Sequence, residues 1–416
     1  MPGPQKGWDT SYEWKAVTLL GLGFGLVGLD RWIIAPLLPF IMKDLNLNYQ
    51  DAGNIIGILG LAWGFFAVVM GGLSDKVGRR KVLIPAIIGF SLLSGLSGMA
   101  TGLVSLLIIR GIMGLTEGSF CPTSFAATND ASAPQRRGIN QGLQQCGFAL
   151  FGLGFAPIIA TQLLRFVTWR WVFVTVAIPG LILGALMFFI IRDPQKKKVL
   201  AHEPQPRGRW ADIFKSRNIV LSMFALFCAM TGVFVLSAML PNYLIDYLKL
   251  TPIEMGFVTS AVGFGGFVGQ FGLPGLSDIL GRRIVAVLGF LGAALMIYIF
   301  MGTGANTSVL FVLLFVATFF TLGLVALLTG PIATESAPPG LISSSIGIVV
   351  GTGEVFGGGV APAVAGWVAK SYGIQNILYL PLISVMLGVI VCLFLKETAP
   401  RKTPLGAVKP VASRAA

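Results

Sequence analysis

Twelve long apolar runs leave this chain little choice of fold. They lie at about 16–41, 51–73, 82–103, 105–128, 138–161, 170–191, 218–243, 253–275, 284–304, 308–333, 341–369 and 375–396. A helix of about 20 apolar residues crosses the hydrocarbon of a bilayer, so each run is long enough to span it. Only α-helices and closed barrels satisfy every backbone hydrogen bond in lipid, and these runs lack the two-residue alternation of barrel strands. The expectation is an all-α integral membrane protein with twelve transmembrane helices. Composition agrees: 11% of the 416 residues are charged, against about a quarter in soluble domains, which excludes a water-soluble enzyme.

The net charge of +13 invites a nucleic-acid partner, but the basic residues sit in short stretches between apolar runs, without interleaved aromatics. They read as topology signals, and no nucleic-acid partner is expected. With both termini in the cytoplasm, 23 of the 30 Lys and Arg residues fall on the cytoplasmic side and five (Lys43, Arg165, Arg170, Lys249, Lys370) on the other. That bias orients a multi-pass protein, expected in a bacterial inner membrane. The last two, Arg31 and Arg110, fall inside runs. The first run is too long for a signal-peptide core and no small-residue cleavage site follows it, so a retained helix is expected. Cys121, Cys146, Cys228 and Cys392 lie in apolar runs without a CxxC spacing, and His202, the one histidine, lies in a charged stretch. No metal and no cofactor are therefore expected. Without a P-loop, ATP-driven transport lacks support.

The hydrophilic stretch 192–217 contains Pro194, Pro204, Pro206 and three consecutive lysines and reads as a linker. It divides a six-helix bundle at 16–191 from another at 218–396, with cytoplasmic tails at 1–15 and 397–416. The halves repeat. Gly71 to Arg80 (GGLSDKVGRR) returns as Pro274 to Arg283 (PGLSDILGRR), 203 residues on, and Phe151 to Pro157 (FGLGFAP) returns as Phe356 to Pro362 (FGGGVAP), 205 residues on. A duplicated six-helix unit is the architecture of a secondary transporter whose halves rock about a central site.

Gly71 to Leu83 fits G-x-L-x-D-[RK]-x-G-R-[RK]-x-x-L at every fixed position, and a degenerate copy falls between the eighth and ninth runs. In this the chain resembles the major facilitator superfamily. The resemblance implies two pseudo-symmetric bundles, a monomeric carrier, and a conformational latch made of Gly71, Asp75, Gly78, Arg79 and Arg80 with Asp278, Arg282 and Arg283 in the second copy. The residues suit that role: Asp75 can pair with Arg79 or a helix N-terminus, and the glycines permit close backbone approach.

Five ionisable groups fall inside apolar runs: Asp30 and Arg31 in the first, Arg110 and Glu117 in the fourth, Glu354 in the eleventh. Such groups are costly in lipid and are functional candidates by default. Arg110 and Glu117 stand two helical turns apart and share a face. Arginine stays charged and binds a carboxylate through two parallel hydrogen bonds. A nearby buried carboxylate can change protonation when an anion competes for that arginine. Arg31 and Arg110 are thus candidate anion-binding groups, and Asp30, Glu117 and Glu354 candidate proton-coupling groups.

Asp30-Arg31, Arg110-x-x-x-Gly114-x-x-Glu117, Pro122, Arg137-Gly138 and Trp169-Arg170-Trp171-x-Phe173 resemble the anion:cation symporter branch of the superfamily. That resemblance assigns the substrate carboxylate to Arg31 and Arg110 and protons to Asp30 and Glu117. Against the sugar-acid members of the branch, Gly28 stands for a tyrosine, Phe148 for a hydroxyl-binding glutamine and Gly351 for an asparagine. Fewer hydrogen-bonding groups point to a monocarboxylate, aromatic or short-chain acid. Asn242 and Tyr243, with Phe148, complete the candidate substrate contacts, and Gln141, Gln144 and Gln145 are weaker ones. The branch does not explain Glu354, which could take a proton, pair with an arginine across the cavity or hold a cationic group. The expected activity is proton-coupled uptake of a small organic anion by alternating access. The alternatives are a proton-coupled exporter and an anion exchanger; a sensor built on the same fold fits poorly with the short termini.

Overall fold

The computed structural model describes residues 9–133, 136–192, 210–338 and 341–399, apart from the side chains at 68, 71–73, 75, 76 and 343. Most of the expected linker, His202 and the tail beyond 399 lie outside these residues. Twelve long helices cross the molecule: α1 Thr10–Leu45, α2 Tyr49–Val77, α3 Arg79–Ser97, α4 Leu103–Ala131, α5 Arg137–Leu163 and α6 Trp169–Ile190 in the first half; α7 Arg217–Tyr247, α8 Pro252–Leu280, α9 Arg282–Met301, α10 Thr307–Ser336, α11 Ser344–Tyr372 and α12 Ile374–Leu393 in the second. Among the described residues eleven helices are long and apolar enough to cross a membrane. The remaining one, α2, runs for 29 residues.

Local sequence explains where the helices start and stop, and the two halves do it alike. Asn48 caps α2 in a reciprocal box with Asp51, and Thr251 caps α8 in the same way with Glu254. Gly78 and Gly281 end α2 and α8 at φ of 110° and 106°, a conformation that strains any side chain with a Cβ. Single wide turns recur as well. Phe148–Phe155 in α5 and Gly353–Val360 in α11 are wound as π-helix, and these two segments stand at corresponding places in the halves.

One boundary differs from the sequence reading. Helix α1 begins at Thr10, capped by Asp9, so Thr10 to Lys15 belong to the helix and not to an N-terminal tail. The reason is Glu13, which is fully buried and accepts hydrogen bonds from Arg136 Nε (3.0 Å), Asn140 Nδ2 (3.0 Å) and the Ala133 amide (3.2 Å). Those partners, at the α4–α5 connection, hold a polar first turn in place.

The halves meet along two glycine seams, α2 against α11 and α5 against α8. A Cβ at Gly60 would stand 2.5 Å from the Gly358 carbonyl oxygen, and one at Gly263 would stand 1.9 Å from the Gly154 nitrogen. Small residues let helix backbones approach this closely, as membrane helices use in place of a hydrophobic drive. At the face away from the termini, the distal face, Tyr49 donates to Asp246 Oδ2 (2.8 Å) and Gln50 to the Ala363 carbonyl (3.1 Å). Toward the terminal face the seams part. There a long contact of 3.9 Å links Cys146 Sγ of the first half to Gln270 Oε1 of the second. Gly347 and Gly351, on the face of α11 that carries Glu354, border open space there.

Candidate functional site

The buried charges converge where the seams begin to part. Pro36 cannot donate to the Trp32 carbonyl, and α1 is interrupted at Ile33, just past Asp30 and Arg31. Arg110 of α4 reaches this weak point, and its Nη1 donates to the carbonyls of Asp30 (3.2 Å) and Arg31 (3.3 Å). Its Nε and Nη2 find no acceptor, although the residue is 1% exposed. Glu117, on the same face of α4, is fully buried with both carboxylate oxygens unbonded, and Asp30 Oδ1 is likewise unbonded. The site thus holds spare donors and spare acceptors side by side.

Arg31 points across to the second half. Its Nη2 donates to Glu354 Oε2 at 3.1 Å, with the two side chains 5% and 9% exposed. Aromatic rings enclose the guanidinium: Phe234 at 4.9 Å, Trp63 at 5.4 Å and Trp32 at 5.8 Å from their centroids. Glu117 lies within electrostatic reach of Arg31, Asp30, Arg110 and Glu354 together. All five predicted intramembrane groups therefore form one cluster. A cavity of about 10 Å³ is bordered by Arg31 and Arg110 with Trp32, Ile34, Ile55, Ile56 and Leu59. That is room for about one water, so the site is shut in this conformation.

The other predicted contacts lie elsewhere. Asn242, fully buried, donates to the Met42 sulfur (3.3 Å) on the distal side. Tyr243 turns into its own half, 5.2 Å from the Tyr247 ring and 6.4 Å from Phe300. Phe148 packs on Phe24 at 5.3 Å. Gln144 is engaged by Ser124 and Thr128 within the first half.

At the terminal face the arginines also bond residues that the sequence reading did not single out. Arg79 bonds Asp130 of α4, and Arg80 bonds the Phe188 carbonyl. The side chains of Gly71 and Asp75 lie outside the described residues. In the second half Arg282 pairs with Asp278 (2.7 Å) and with Glu335 of α10 (2.8 Å), and Arg283 donates to the Leu393 carbonyl (2.6 Å). Asp130 and Glu335 stand 205 residues apart, the offset of the duplication, and that spacing was the available signal. Glu397 adds a device without a counterpart among the described residues: it accepts the first amides of α9, from Arg282 (2.8 Å) and Arg283 (3.3 Å). Partial burial works against its charge, but these amides with those of Ala399 and Thr398 outweigh it and hold the carboxyl below its ordinary range.

A profile of the Major Facilitator Superfamily matches residues 20–349 and, in a second alignment, 222–415. The chain belongs to the major facilitator superfamily. It is similar to the hexuronate transporter of Bacillus subtilis (strain 168), 27% identical over 366 residues that cover 83% of this chain and 85% of the relative. It is also similar to a sialic acid transporter of Escherichia coli (strain K12), 26% identical with 88% and 90% covered. In fold it resembles a bacterial homologue of the human lysosomal transporter Spinster in an inward-facing, occupied conformation. That match has a TM-score of 0.75 at 16% identity and covers 94% of this chain and 97% of the other. This superfamily member is thus a multi-pass membrane transporter and not an enzyme.

Proposed function

We propose that this carrier takes up a small organic anion together with protons by alternating access, with its termini in the cytoplasm of a bacterial inner membrane. The observation that carries the reading is the convergence of two buried guanidinium groups, Arg31 and Arg110, on one small cavity of the first half, with Arg31 reaching across to Glu354 of the second. A buried cation of this kind recognises a carboxylate and discriminates against neutral cargo. The relatives named for hexuronate and sialic acid handle acids, which supports an anionic cargo. The surroundings favour a monocarboxylate with an apolar body, aromatic or short-chain, because the rings of Phe234, Trp63 and Trp32 enclose Arg31.

Asp30 and Glu117 are the proton carriers in this reading. Their unbonded oxygens lie beside Arg110, so a substrate carboxylate that engages Arg110 withdraws the cation that offsets their charge. A proton then restores neutrality before the site crosses the membrane. The bonds of Arg79, Arg80, Arg282 and Arg283 fasten helices within each half at the terminal face.

Reconstituted into liposomes, the purified carrier should accumulate a labelled carboxylate when the outside is acidified. Glu117→Gln should stop accumulation and keep counterflow exchange. Accumulation that survives in Asp30→Asn/Glu117→Gln removes the proton roles of these two residues. Accumulation driven only by acid on the terminal side makes the carrier an exporter.

A further inference from the structure

Glu354 is the single charge that the second half brings to the cluster, and it spends that charge on Arg31. The pair spans two elements 323 residues apart in sequence, between α1 and the π-wound turn of α11. Breaking such a pair by withdrawing one partner leaves an uncompensated buried charge. The groups around Glu354 decide how it can be compensated. Arg31 faces it from α1, and Glu117 and Cys121 lie within electrostatic reach on α4. From α7, Met230 and Leu226 pack beside this turn, and from α2, Gly64 and Leu61; none of them titrates or carries charge. Once Arg31 is taken, no second cation is at hand for Glu354 among the described residues except Arg110, which bonds the α1 backbone.

We propose that Glu354 is a tethered stand-in for the cargo. Its carboxylate occupies Arg31 in the empty carrier, and the carboxylate of an incoming acid takes that place while Glu354 picks up a proton from the terminal side, where the seams part. Charge balances: one anion enters, one proton is added, and the cluster keeps its net charge. No bond other than O–H is made. The empty carrier is neutralised by its own chain, which lets it close and return without cargo; the loaded carrier is neutralised by cargo plus proton. On the terminal side of Glu354, a Cβ added at Gly347 or Gly351 would meet no atom within 4 Å. The proposal rests on the reading of Arg31 as an anion site.

The test uses the purified full chain with benzoate and acetate as probes, binding being measured by titration calorimetry between pH 5.5 and 8.5. In weakly buffered solution the wild type should take up at least one proton per benzoate bound. Its benzoate affinity should rise on acidification, and Glu354→Gln should lower the slope by roughly tenfold per pH unit, the mark of one lost proton. At pH 8.5 Glu354→Gln should bind both probes at least tenfold more tightly than the wild type, because Arg31 is vacant. Equal slopes in the two proteins overturn the proposal and leave Arg31 as an anion site. No binding of either probe to either protein, at any pH, overturns the anion-site reading and the proposal with it. If Glu354→Gln does not fold, benzoate bound to the wild type without proton uptake still overturns the proposal.

Discussion

The first half of the carrier places Asp30, Arg31, Arg110 and Glu117 in its interior. The second half repeats the capping boxes, the positive-φ glycines and the π-wound turn of the first, yet among the described residues it brings only Glu354 to the central charge cluster. Backbone devices are shared because both halves face the same demand, to fill a bilayer with helices and to let seams of glycine meet. Charge is not shared. A bilayer makes each buried ion costly, so one set of recognition groups on one half is enough, provided that the other half closes over it. In this molecule the closing half offers aromatic and aliphatic side chains, Phe234 and Met230 among them, and one carboxylate.

The largest effect should come from stripping the charged half. Arg31→Ala or Arg110→Ala removes one partner of a buried charged contact, which costs about 2–5 kcal/mol, or roughly 30-fold or more in affinity. Benzoate binding by the variants is the measurement; unchanged binding by both would abolish the functional contrast between the halves. A smaller contrast concerns the paired latches. The Arg282 side chain is 6% exposed and pairs with two carboxylates, whereas that of Arg79 is 19% exposed. Arg282→Ala should therefore cost about 2 kcal/mol in detergent unfolding and Arg79→Ala less than about 1 kcal/mol. Equal losses would show the two latches to be equivalent.

Glu397 should matter less. Glu397→Gln should lose about 1 kcal/mol, as for a weakened helix cap. Because its carboxyl is held below the ordinary 4.5, the stabilisation is full above that pH and fades as acid protonates the group. A wild-type advantage that persists undiminished at pH 3 would contradict this. The smallest expected effect is at the distal face. Tyr49→Phe removes one inter-half hydrogen bond and should shift closure by roughly 0.5–1 kcal/mol, seen as a longer spin-label distance between α2 and α7. No change in that distance would confine closure to the glycine seams.

The helices and the duplication were legible in the sequence because lipid imposes them: uninterrupted apolar runs admit one secondary structure, and repeated motifs reveal the halves. The five intramembrane charges were legible for the same reason. What escaped depends on rotation and distance. Tyr243 and Asn242 stand at the end of an apolar run where either face is permissible, and only packing turns Tyr243 toward Phe300. Glu13 reads as a tail residue until Arg136 and Asn140 meet it from 123 and 127 residues away. Asp130 and Glu335 look like ordinary acidic residues at helix ends until the arginines of the neighbouring connection reach them. For Glu354 the sequence left several roles open, and the contact with Arg31 selects the pairing.

The π-wound turns in α5 and α11 have a consequence for chain length. A turn closed by i to i+5 bonds accommodates one residue more than an α-turn, so the stretches before and after it are rotated by about 100° from where unbroken α-winding would set them. Deleting a single residue from Gly353–Val360 would tighten that turn and swing one end of α11 through this angle. Gly347 and Gly351 would then face a different neighbour while Gly358 stayed against Gly60. The carrier therefore counts residues as well as reading them: one position fewer, with every side chain otherwise kept, would misalign the stretch 347–351 with the seam.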